Sequence, residues 1–255
     1  MILKDYTMNQ RGNLNLSGGG KVARYYIALS YSRDNGMLKT DNGSKFNNNI
    51  QLNKYTVRSN VNLNLTNSTE MAVRVSGTFD DYQGPLSGGA DMYTKSIKAN
   101  PVLFPATYLP DKANQHANHI LFGNAGTTGT YMNPYAEMLK GYKEYNTTVV
   151  NAQLELKQDL NMVTKGLKAR ILGNVSRDSY FDLTRSYNPF YYSIGSYDKA
   201  ENTYTLTALN PKDGTDYLGY AQGGKLFQAQ FIWKLHYLMT ESSETNMLLE
   251  VRLFT

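Results

Sequence analysis

Cysteine is absent from all 255 residues, which excludes a disulfide scaffold and a thiolate metal site. Charge is sparse as well: charged residues make up 18%, against about 25% in ordinary soluble domains. No stretch approaches the ~18 consecutive apolar residues that a membrane-spanning helix needs, and mean hydropathy is −0.50. That leaves barrel strands open, because such a strand turns only every second residue to lipid. The net charge is +5 and the sequence pI about 9.1. The Lys and Arg residues form no run, which argues against a nucleic-acid partner. The opening stretch, Met1 to Asn13, has no apolar core and no small-residue cleavage site, so it does not read as a signal peptide.

What the chain does have is tyrosine, 21 of them, and a period of two. In Lys21 to Tyr31 the positions Ala23, Tyr25, Ile27, Leu29 and Tyr31 alternate with Arg24, Tyr26, Ala28 and Ser30. In Tyr55 to Leu65 the positions Tyr55, Val57, Val61, Leu63 and Leu65 alternate with Thr56, Arg58, Asn60, Asn62 and Asn64. Met71 to Asp80, Val150 to Lys157, Leu167 to Ile171, Phe227 to Tyr237 and Met247 to Leu253 repeat the pattern, and Asn13 to Leu16 adds a short run ahead of them. Alternation of this kind predicts strands with one apolar and one polar face. No segment of comparable length has a 3.6-residue period, so helices are not expected. The predicted architecture is all-β, about eight long antiparallel strands.

An antiparallel sandwich also buries one face and wets the other. Three features favour an up-and-down transmembrane barrel. The predicted strands run about 10 to 15 residues, longer than the ~5–6 of soluble strands and matched to the ~9–11 that cross a membrane. Their apolar faces carry Tyr, Phe and Trp near the ends, as interfacial girdles do. Connections also alternate in length. Ser17–Gly20, Thr66–Glu70, Asp159–Lys165 and Thr240–Glu244 are brief, whereas Asp34–Lys54, Gln83–Tyr145 and Phe181–Gly224 are long. Outer-membrane barrels combine tight periplasmic turns with long external loops in this way. On that reading Arg24, Arg58, Arg74, Lys157, Lys168, Arg170, Lys234 and Arg252 face the lumen. A wet lumen needs a polar lining whatever it carries, so no substrate is read from any one of them.

Several motifs carry a resemblance. Asn13-Leu-Asn-Leu-Ser-Gly-Gly19, then Ala23 to Tyr31 and Asp34-Asn-Gly36, are similar to the SusC/RagA family of TonB-linked outer-membrane proteins. So are Tyr55 to Leu65, Asn133-Pro-Tyr-Ala136, Gly141-Tyr142, Gln158-Asp-Leu160 and Thr164-Lys-Gly-Leu167. Each is short; their order and spacing are the specific part, and the likeness thins after about Tyr180. The resemblance implies import of oligosaccharides or peptides across a Bacteroidetes-type outer membrane. It also implies a SusD-like surface lipoprotein as partner and energy supplied through TonB. The family barrel has about 22 strands and a plugged lumen. No plug domain, TonB box or closing strand with a terminal aromatic is found here, so the chain is read as a partial barrel over 1–255. Its two open edges would be an aggregation liability.

Catalytic constellations are missing: no Ser/His/Asp or Cys/His set can be assembled from three histidines, and an enzyme is not expected. Gly18-Gly-Gly20 precedes a strand and reads as a hairpin turn, not a phosphate loop. His116 and His119 have i, i+3 spacing without an evident third ligand. Asp80, Asp81 and Asp111 lack the spacing of a calcium loop. Neither metal nor cofactor is expected. The long loops are the better candidates. Tyr93, Phe104, Tyr108, Tyr131 and Tyr135 in the first, stiffened by Pro101, Pro105 and Pro110, could stack on sugar rings or anchor a partner. Tyr191 and Tyr192 in the second, with Tyr187, Phe190 and Tyr197, read the same way. The other reading is a loop packed on its own aromatics. Two further alternatives stay open: a complete small barrel with a structural or adhesive role, and a secreted glycan-binding β-sandwich.

Overall fold

The computed structural model describes residues 3–39, 46–125 and 133–239. Tyr131, the Met247 to Leu253 run and the Thr240–Glu244 connection lie outside these residues. The protein is all-β and almost wholly antiparallel. Seven strands make one sheet: β1 (Gln10–Gly19), β2 (Ala23–Asn35), β3 (Gln51–Asn64), β4 (Thr69–Pro85), β6 (Gly141–Asp159), β7 (Leu167–Ser186) and β10 (Gly219–Met239). They pair strictly in chain order, each antiparallel to the last. Among the described residues β1 and β10 do not pair with each other, so the sheet is open.

The sequence alternation found the turn-side parts of these strands and missed their loop-side ends. Val150 to Lys157 lies in the turn-side half of a 19-residue strand, and Leu167 to Ile171 is the turn-side start of a 20-residue one. Towards the loop end both faces turn polar, so the pattern fades, while the backbone ladder continues. The expectation of no helix is corrected by α1 (Gly88–Lys98) and α2 (Pro134–Leu139). Helix α1 buries only Met92, too little to draw a periodic stripe. In α2, Asn133 caps the first turn and Pro134 opens it, an N-terminal signal readable without any stripe.

Register gives the sheet its slant. The closing pair of the first hairpin, Gly19–Arg24, belongs to a row that continues through Asn62, Ala72, Glu155, Leu172 and Lys234. The second hairpin closes at Asn64–Glu70, two residues beyond that row. The third closes at Asp159–Lys168, four residues beyond it. The stagger is one residue per strand. With a rise of about 3.4 Å against a strand spacing of about 4.8 Å, the strands lean by roughly 35°.

The long connections fold into a separate layer at the other end of the sheet. It holds α1, α2 and a small sheet of β5 (Phe122–Gly123), β8 (Tyr191–Asp198) and β9 (Thr203–Ala208). Strand β5 runs parallel to β8, and β9 antiparallel to it. Its core joins Leu38, Met92, Phe122, Ala136, Met138, Leu139 and Tyr191. Gly223 lies in the β10 bulge between Gln222 and Lys225. A Cβ there would stand 2.2 Å from the Asp182 carboxylate; without one, the neighbouring Gly224 N–H donates to Asp182 at 2.6 Å.

Candidate functional site

The two faces of the large sheet differ in an unusual direction. Ile27, Ser59, Val75, Ala152, Val175 and Phe231 form one row across it, with Leu29, Val57, Leu154, Ile171 and Trp233 on the same face. These apolar side chains are the exposed ones: Leu29 41%, Val57 39%, Leu154 44%, Trp233 48%. On the opposite, polar face Glu155 is 3% exposed and Asp182 7%. Among the described residues no second layer covers the apolar face.

The apolar face forms a band. On β2 it spans Ala23 to Tyr31, eight steps of about 3.4 Å, or about 22 Å measured across the slant. Its loop-side end is marked by Tyr31 and Tyr55, whose rings lie 5.1 Å apart, followed by Phe79 on the next strand. On β7 the band ends at Val175, which shares a row with Ile27. That is four residues lower over four strand steps, so the band and the hairpin turns follow one slant. Trp233 lies across Gly173, where an added Cβ would meet its ring at 2.5 Å.

Arg24, Arg58, Arg74, Lys157, Lys168, Arg170 and Lys234 all fall at polar-face positions. Their one close cluster centres on Glu155. Arg74 donates to it at 2.9 Å and Arg170 at 2.6 Å, and Lys157 approaches to 3.6 Å. A carboxylate on the face between strands that carry cations at i and j±2 collects them by register alone.

In the loop layer three of the aromatic candidates meet at one cavity. Tyr93 of α1, Phe104 and Tyr135 of α2 line a space of about 440 Å³ with Ile97 and Pro101, a size ordinary for a small-ligand pocket. Its polar neighbours are engaged. Asn133 donates to the carbonyls of Ala106 and Gly123 and accepts from Tyr135 and Ala136. Asn100 accepts from the Val102 N–H. The walls therefore present aromatic and aliphatic surface. Glu137 ties α2 to α1 through Lys95, and Lys95 also reaches Asp91 at 2.9 Å. Nothing in the sequence pattern marked Ile97 or the Lys95–Glu137 tie, because both depend on contacts 40 residues apart.

The remaining candidates are placed elsewhere. Tyr191 and Tyr192 are buried, at 7% and 5% exposure, and hold the layer together. Tyr108 packs near Tyr204, centroids 6.0 Å apart. His119 stacks on Phe190 at 4.1 Å and shares a 2.9 Å hydrogen bond with the Tyr192 hydroxyl. Burial holds its pKa below the ordinary histidine value, against an opposing pull from Asp216. Burial raises the Asp111 carboxyl, but the Leu206 N–H and both Asn114 donors outweigh it, and its pKa stands low. Asp111 thus fastens the first loop to β9. Burial alone pushes Tyr187 up to about 12. Among the described residues no group of three or more His, Cys, Asp or Glu stands together to hold a metal ion, and no helix is long and apolar enough to cross a membrane.

These features define a class: a long-stranded antiparallel sheet with one apolar, uncovered face and one polar face, topped by a folded loop layer. Compared with models of known protein families the chain matches none, and no curated protein matches it.

Proposed function

We propose that the large sheet is part of the wall of a TonB-dependent outer-membrane transporter of the SusC/RagA kind. The cargo is an oligosaccharide or a peptide, taken up together with a SusD-like surface lipoprotein. The observation that carries the reading is the apolar band, exposed on one face across seven strands. In water such a band would far exceed the few hundred Å² of contiguous apolar surface that soluble monomers tolerate. In lipid it is the ordinary outer face of a barrel, about 25 Å tall with aromatic girdles. The slant of about 35° is also that of transmembrane strands, and the tight turns and the folded loops sit at opposite ends.

On this reading the polar face lines the lumen and the loop layer lies outside the cell. The cavity between α1 and α2 is the contact for ligand or lipoprotein, with Tyr93 and Ile97 accessible on it. The cysteine-free chain permits a direct test. Single cysteines at Val57 and Leu154, and at Arg58 and Gln153, are labelled with an environment-sensitive fluorophore in phosphatidylcholine vesicles. The first pair is expected to be quenched by lipid-borne quenchers and the second by aqueous iodide. Equal access of iodide to all four positions would reject the membrane reading.

A further inference from the structure

On the exposed face of β7 and β10, immediately above the apolar band, cations and aromatics interlock. Arg177 follows Val175 on that face, and its guanidinium lies 4.7 Å from the Phe227 ring centroid. Four residues on, Phe181 receives Lys225 at 5.7 Å. Four further on, Arg185 lies 5.6 Å from Tyr220. Cation–π pairs occur about once per 70–80 residues, so three among the described residues is an ordinary number. All three on one strand pair and one face, at four-residue spacing, is not.

All three cations are exposed, and none has an ion pair among the described residues. The acidic groups on the same face are Glu144, whose strand neighbour is Leu183, and Asp81, two strands away in the Phe181 row. Other strands lack such a strip: in the rows of Arg177, Phe181 and Arg185, β6 carries Val150, Asn146 and Tyr142, and β4 carries Gly77, Asp81 and Pro85. An aromatic face holds each cation in place while leaving its outer hydrogen-bond donors free for an anion.

We infer that this strip binds the phosphorylated saccharide head group of an outer-leaflet lipid, whose acyl chains lie along the apolar band below Arg177. The inference rests on the membrane reading of that band. Phosphate matches the guanidinium fork, and sugar rings match the exposed faces of Phe227 and Tyr220. The strip begins where the band ends, which selects a phosphate attached to acyl chains over a free one.

The test uses the full chain in phosphatidylcholine vesicles doped with lipid A or with dephosphorylated lipid A. Lipid retained after detergent extraction is measured by mass spectrometry. Lipid A should be retained over its dephosphorylated form, and inorganic phosphate should not displace it. The triple variant Arg177→Gln, Arg185→Gln, Lys225→Gln should lose on the order of tenfold or more in retention, given the attraction of each basic side chain to an anionic surface. The triple Lys112→Gln, Lys199→Gln, Lys212→Gln removes the same charge from the loop layer and should retain the lipid. Equal retention of both lipids by the unaltered chain, displacement by inorganic phosphate, or an equal loss in both triples would overturn the inference while leaving the membrane reading intact. Extraction of the unaltered chain from plain phosphatidylcholine vesicles by carbonate would overturn both.

Discussion

The large sheet and the loop layer follow opposite rules within one chain. In the loop layer Met92, Phe122 and Met138 are sealed inside, and the buried carboxylate of Glu137 is paired with Lys95, as water demands. In the sheet Leu154 and Trp233 point outward while Glu155 is shielded among cations. Burial is a statement about which surroundings each face prefers, and on the proposed reading the two regions are built for different surroundings. The hydrophobic drive that assembles the loop layer would act on the sheet as a drive to find lipid.

Changes of core and of environment should therefore separate the two regions. The largest effect is expected from Phe122→Ala, which removes a fully buried ring at a cost of about 3–5 kcal/mol to the loop layer. Hydrogen exchange should show it in β5 and β8 alone, in vesicles and in detergent alike. Leu154→Arg sits midway down the band and should cost about 2–4 kcal/mol in a bilayer, read as a shift in urea unfolding from vesicles. If the sheet were made for water, the same change at a half-exposed position would be nearly silent. Glu155→Gln leaves Arg74 and Arg170 without their anion. Both partners are more than a third exposed, so solvent screening reduces the expected loss to roughly 1 kcal/mol, with the pair Arg74→Gln, Glu155→Gln less than additive.

The smallest effect is expected from pH, and it belongs to the loop layer. His119 has a pKa lowered by burial, so the unfolded layer binds a proton more readily than the folded one. Its contribution is fully present above the ordinary histidine value of about 6.5 and is lost as pH falls through the lowered folded value. The protection factors of β8 amides, which are corrected for the slower intrinsic exchange at low pH, should fall on acidification, and His119→Gln should flatten that dependence. An unchanged acid response in the variant would count against His119 as its source.

Legibility in the sequence followed the same division. Ala23 to Tyr31 and Tyr55 to Leu65 announce their strands because their side chains alternate between an apolar and a polar face of one sheet. The loop layer has no such pair of faces. Tyr191 and Tyr192 are adjacent and both buried, one packing against Phe122 and the other bonded to His119. Two buried neighbours at the start of a strand leave no period to read. The cavity was half legible: the sequence singled out Tyr93, Phe104 and Tyr135 as loop aromatics, and only folding brought them to one place. The cation–aromatic strip was illegible because Arg177 and Phe227 stand 50 positions apart and become neighbours through register.

The one-residue stagger has a consequence for size. A strand leaning by roughly 35° takes up about 6 Å of circumference instead of 4.8 Å. Seven such strands subtend about 40 Å of arc. With the slant set by the turns at Gly19–Arg24, Asn64–Glu70 and Asp159–Lys168, the breadth of any enclosed aperture is set by strand number alone. On the proposed reading, the width of molecule admitted is counted in hairpins.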